Sequence, residues 1–129
     1  MNEAELLLAD ASGAVHAALK DLGSVPDHVL RRGFARTPSG GNLICWGEYS
    51  NVSTDCTVVD KLCYQVTIRA IDPDALTELT AAVNRALLRL GLRRSYSSPD
   101  SIQADSTAAY ERTLRFSRRV DKRTLRFIN

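Results

Sequence analysis

The polar–apolar pattern is most regular between Lys61 and Gly91. Leu62, Tyr64, Val66, Ile68 and Ala70 alternate with Cys63, Gln65, Thr67 and Arg69. A period of two predicts a strand with one buried face. Asp72-Pro73 follows at once, a pair suited to open a helix: the carboxylate caps unpaired backbone donors, and proline fits the first position, where no N–H is needed. Leu76, Leu79, Val83, Leu87 and Leu90 then recur at helical spacing and form one apolar stripe. Gly91 suits the left-handed residue that ends such a helix.

The remaining chain reads as cover for this strand–helix unit. Glu3 to Leu22 predicts a helix with Leu8, Ala11, Val15, Ala18 or Leu19, and Leu22 on one stripe, His16 beside it, and Gly23 and Pro26 at its end. Residues 24–42 read as a connector with an optional short strand near 29–34 and a turn at 38–42. Leu43 to Val52 predicts a strand antiparallel to 61–71. Ile44, Trp46 and Glu48 share one of its faces, and Leu43, Cys45 and Tyr49 the other. Neither face is cleanly polar, so both are expected to be covered, one of them by another subunit. Residues 53–60 and 92–107 read as long loops, of the kind that carry contacts.

Ala108 to Val120 predicts the last strand. Tyr110, Leu114, Phe116 and Val120 point to the core, interrupted by Arg112 and Arg118, while Glu111, Thr113, Arg115, Ser117 and Arg119 face solvent or a partner. Leu125 and Phe127 alternate in the tail, residues 121–129, which holds an optional short strand near 123–128 but cannot bury itself. The order α-β-β-α-β predicts an α+β fold: two helices on one face of a small, largely antiparallel sheet, in a single domain over residues 1–120.

Composition fits one globular domain: 129 residues, 44% hydrophobic and 25% charged. No apolar run approaches the roughly 20 residues that span a bilayer. The acidic start MNEAELLLADASG lacks the basic region of an export signal, so a cytosolic product is expected. Charge changes the picture more. Residues 1–84 carry 6 Lys/Arg against 11 Asp/Glu (−5) and residues 85–129 carry 11 against 4 (+7), within a net charge of +2. Such a split fits a nucleic-acid face, or head-to-tail contact between copies.

Chemistry is sparse. Cys45, Cys56 and Cys63 form no CxxC pair, and His16 and His28 lie at no zinc-ligand spacing from them. The turn at 38–42 lacks the spacing of a phosphate-binding loop, and no nucleophile or acid–base motif is present. No catalytic, metal or cofactor site is expected.

The element order and texture carry a resemblance. An amphipathic helix precedes NLICWGEY; a long loop leads to YQVTIRAIDPDALTELTAAVNRALLRLG; a polar loop leads to YERTLRF. This resembles the tail-completion or tail-terminator proteins of long-tailed bacteriophages, over roughly residues 1–120. The resemblance implies a non-enzymatic virion protein, assembled in the host cytoplasm into a homo-oligomeric ring, as a rule a hexamer. Such a ring caps the tail tube and joins it to the head connector, so its partners would be the tube protein and the neck proteins. A head-closure protein of the same neck, or a small basic nucleic-acid-binding module, is the alternative. The ring's basic patch is expected at Arg115, Arg119, Arg123 and Arg126, with Glu48, Asp55 and Asp60 as acidic partners and Leu125 and Phe127 as apolar contacts. DNA in the channel is the alternative contact for the arginines.

Overall fold

The computed structural model describes residues 3–33, 41–53, 59–97, 101–102, 110–121 and 123. Two helices, α1 (Glu3–Lys20) and α2 (Pro73–Arg89), accompany six strands: β1 (His28–Arg32), β2 (Asn42–Ser53), β3 (Val59–Ala70), β4 (Arg93–Ser97), β5 (Ser101–Ile102) and β6 (Tyr110–Asp121). The sheet runs β1-β2-β3-β6-β4, and β5 pairs with β6. Every pairing is antiparallel except that of β1 with β2. This is the expected α+β fold.

The alternation of β3 sets the layers. Val66 lies between Trp46 of β2 and Leu114 of β6, and Tyr64 between Glu48 and Phe116. Partners directly across a sheet share a face. Leu62, Tyr64, Val66, Ile68 and Ala70 are therefore buried in one cluster with Ile44, Trp46, Leu114 and Phe116. Ala11, Val15 and Leu19 of α1 and Leu76, Leu79, Val83 and Leu87 of α2 complete that cluster, so both helices cover the same face.

The ends of α2 follow the sequence signals. Asp72 accepts the backbone N–H of Ala75 at 2.7 Å, with Pro73 in the first turn. At the other end Gly91 has φ +84°. Its N–H donates to the Leu88 carbonyl at 2.9 Å, and that of Leu92 to the Leu87 carbonyl at 3.1 Å. This double closure needs a left-handed residue and packs the apolar side chains on either side of it; Leu87 and Leu92 are both buried.

Three features depart from the sequence reading. The optional strand near 29–34 exists at His28–Arg32 but runs parallel to β2. The Asn42 side chain ties that end of the sheet: its amide donates to the Asp27 carbonyl at 3.0 Å and accepts from the Ile71 N–H at 3.1 Å. Second, residues 92–107 are not all loop. β4 and β5 lie one after the other along the edge of β6. All five residues of β4 are exposed, so RRSYS has no buried alternation to read; its backbone pairs because β6 offers a free edge. Third, register shifts by one residue between Glu48 and Ser50, and again between Arg94 and Tyr96. Tyr49 and Ser95 are the extra residues of two bulges.

Candidate assembly surface

Two arrangements stand out from the core, one on each side of the sheet. On the helix side, a polar chain fastens α1. Ser12 of α1 donates to Glu48 Oε1 at 3.1 Å and lies 3.2 Å from the Tyr64 hydroxyl. A serine has one proton, so with Glu48 as its acceptor, Tyr64 donates to Ser12. One turn on, His16 Nδ1 accepts the indole N–H of Trp46 at 3.1 Å, and the guanidinium of Arg32 lies 5.0 Å from the Trp46 ring centroid. Tyr64 is pushed up to about 12 from its ordinary 10.0, chiefly by burial, with Glu48 raising it further and Arg32 lowering it.

The opposite side, the outer face, carries no helix among the described residues. Small side chains form its floor: Cys45, Cys63 and Ser117 are buried. Burial pushes the Cys45 thiol up, with the charges of Arg31, Glu111 and Arg69 around it. Longer chains rise between them. Arg115 Nε donates to Gln65 Oε1 at 3.0 Å, and the Arg115 guanidinium sits 5.1 Å from the exposed Tyr96 ring. Toward the β2–β3 hairpin end, Lys61 and Arg119 are direct cross-strand partners and both are exposed. Like charges facing each other across a sheet repel, and Asp121 lies two residues beyond Arg119 on the same face of β6. Toward the other end, Val29 is exposed beside Leu43, and Ile71 is exposed just beyond β3.

The residues expected at an interface are distributed over this frame. Arg115 and Arg119 share the outer face. Arg123 lies in the turn after β6, where its N–H donates to Asp121 Oδ1 at 2.8 Å and its guanidinium pairs with Asp121 at 3.6 Å. Glu48 lies on the helix side, bonded to Ser12, away from Arg115 and Arg119. Asp60 is paired in β3 with Ser53 and Val120, and its side chain lies outside the described residues. Asp55, Leu125, Arg126 and Phe127 also lie outside them. Lys61 escaped the sequence reading. Its parity with Cys63 placed it on the outer face, but only the register of β3 with β6 sets it opposite Arg119.

Arg118 has a different part. Its Nη1 donates to the Leu90 carbonyl at the end of α2, so this interruption of the apolar face of β6 closes a helix terminus. Among the described residues no group of three or more His, Cys, Asp or Glu is placed to hold a metal ion. Among the described residues no helix is long and apolar enough to cross a membrane. No protein-family model matches the chain, and no curated protein matches it.

Proposed function

We propose that this chain is a structural component of a long-tailed phage particle: a tail-completion or tail-terminator subunit whose copies close into a ring that caps the tail tube and meets the head connector. The observation that carries this reading is the outer face of the sheet. It is a broad surface with a floor of buried small residues, an exposed cationic pair at Lys61 and Arg119 and exposed apolar residues at its other end. A two-layer domain with such a face is suited to being covered by something else. The element order, with both helices on one side, agrees with the resemblance.

The alternative is a nucleic-acid module. The exposed Tyr96 under Arg115, among further arginines of the same face, favours it.

The deciding measurement is the mass of the purified full-length chain by light scattering, together with negative-stain imaging. A closed oligomer seen as annuli supports the ring. A monomer at every concentration overturns it. A monomer that binds DNA with affinity falling steeply in salt establishes the module instead.

A further inference from the structure

We infer that the β6–β4 half of the outer sheet face binds single-stranded nucleic acid, with phosphates on Lys61, Arg119 and Arg93 and a base on Tyr96. The site lies within one copy. It adds to the ring reading without resting on it, and it gives the nucleic-acid alternative its residues.

Register gathers these groups. Lys61 of β3 pairs with Arg119 of β6. Arg93 of β4 pairs with Ser117, and Tyr96 with Arg115, so both β4 residues share the face of Arg115 and Arg119. Adjacent strands lie about 4.8 Å apart, and two strand residues span about 7 Å. From Lys61 the cations therefore step sideways to Arg119 and diagonally to Arg93. Tyr96 stands on the next outward rung of the same strand. β4 ends the path of the sheet and is exposed throughout, so a ligand reaches this strip from the edge.

The charge of the face is one-sided. Among the described residues its basic members are Arg31, Lys61, Arg69, Arg93, Arg115 and Arg119, against the acids Glu111 and Asp121. Each acid stands beside a cation. Glu111 is directly across from Arg69. Asp121 accepts the Arg123 N–H at 2.8 Å and lies 3.6 Å from the Arg123 guanidinium. Lys61, Arg93 and Arg119, all exposed, gather at the strip.

Tyr96 selects the kind of anion. Its ring is 45% exposed, and the Arg115 guanidinium lies 5.1 Å from the ring centroid. Arg115 is itself bonded to Gln65 at 3.0 Å, so the platform is braced before a ligand arrives. Unpaired bases stack on aromatic rings and on guanidinium planes. A duplex keeps its base faces inside its own stack, so a single strand is what uses the ring. An acidic protein surface would match the cations, but protein interfaces centre on apolar contact and exclude charge from the middle. Among the described residues, Tyr96 is the one large apolar side chain exposed on this half of the face. Nucleic-acid interfaces are the more polar and more positive kind.

The test is fluorescence anisotropy of a labelled thymidine oligonucleotide with the full-length chain across a salt series. A uridine oligomer, a thymidine–adenosine duplex and polyglutamate are run alongside, and light scattering reports mass. The parent should bind both single strands more tightly than the duplex, with affinity falling steeply in salt. Lys61→Ala, Arg93→Ala and Arg119→Ala should each lower the slope of log affinity against log salt by about 0.7. Tyr96→Ala should weaken binding roughly tenfold with the slope unchanged, and Tyr96→Phe should bind like the parent. Thermal unfolding by circular dichroism confirms that each variant folds. A parent that binds neither single strand overturns the site, as does single-strand binding that none of these alanine substitutions changes. Equal binding of duplex and single strand, indifferent to Tyr96→Ala, overturns the single-strand assignment. Polyglutamate bound as tightly as the oligonucleotides gives the strip to an acidic polypeptide instead. A ring that binds no oligonucleotide leaves the ring reading standing without this site; a monomer that binds keeps the site and removes the ring.

Discussion

Trp46 and His16 are joined across the interface of sheet and helix: the indole Nε1–H donates to the imidazole Nδ1 at 3.1 Å, with the ring centroids 5.6 Å apart. Trp46 is fully buried and is the only tryptophan of the chain. A buried N–H without an acceptor costs about 1–3 kcal/mol. His16→Leu should therefore destabilise the fold by that order, whereas His16→Gln, which keeps an acceptor, should cost less. Chemical denaturation followed by the fluorescence of Trp46 measures both. Equal losses for the two variants would show that the imidazole packs without serving as acceptor.

Stability at high pH should depend on Tyr64. Its hydroxyl is raised to about 12 in the folded chain against an ordinary 10.0, so the folded state holds the proton more tightly than the unfolded one. The stability from this group is complete below about pH 10 and is lost as pH rises through about 12. The difference amounts to about 2–3 kcal/mol. Tyr64→Phe should flatten this alkaline decline. Denaturation midpoints across that range, with an ultraviolet titration of the tyrosines, check it.

Leu87 is fully buried where α2 meets the sheet and also lies within the helix-closing turn. Leu87→Ala should cost about 2–5 kcal/mol, with the deeper losses expected if the site cannot collapse. An unchanged denaturation midpoint would contradict the packing of α2 on β3 and β6.

Gly91 should resist substitution for two separate reasons. Its φ of +84° is costly for any residue with a Cβ, and an added Cβ would stand 3.1 Å from the Arg118 guanidinium carbon. Gly91→Ala should lose about 1–2 kcal/mol from the backbone alone. Pairing it with Arg118→Ala removes the crowding but not the strain. A double-mutant cycle separates the two, and a coupling energy near zero would mean that the guanidinium moves aside freely.

The unit of β3 and α2 was legible because its signals are local. The alternation of 62–70, the Asp72-Pro73 start and the Gly91 stop each lie within a few residues of what they specify. The outward parity of Arg115 and Arg119 was legible for the same reason. Other features depend on partners distant in sequence. His16 and Trp46 are 30 residues apart, and no spacing rule joins them. β1 is a strand because β2 accepts it in parallel, and β4 because β6 has an edge to fill; neither sequence alternates enough to announce itself. Glu48 was correctly placed on the face of Ile44 and Trp46, yet that placement also set it apart from the outer-face arginines, and Ser12 is what occupies it.

The extra residue at Tyr49 separates two properties that a strand usually fixes together. Glu48 pairs with Tyr64 and Ser50 with Cys63 on either side of it. Excising Tyr49 would leave each of those partners in place and merely straighten the ladder. What the inserted residue contributes is heading, since a bulge bends and twists its strand. How far the β2–β3 arm extends and where it points are thus governed by different residues. A chain built this way can re-aim the arm by gaining or losing a single codon while the pairs on either side of the bulge keep their partners.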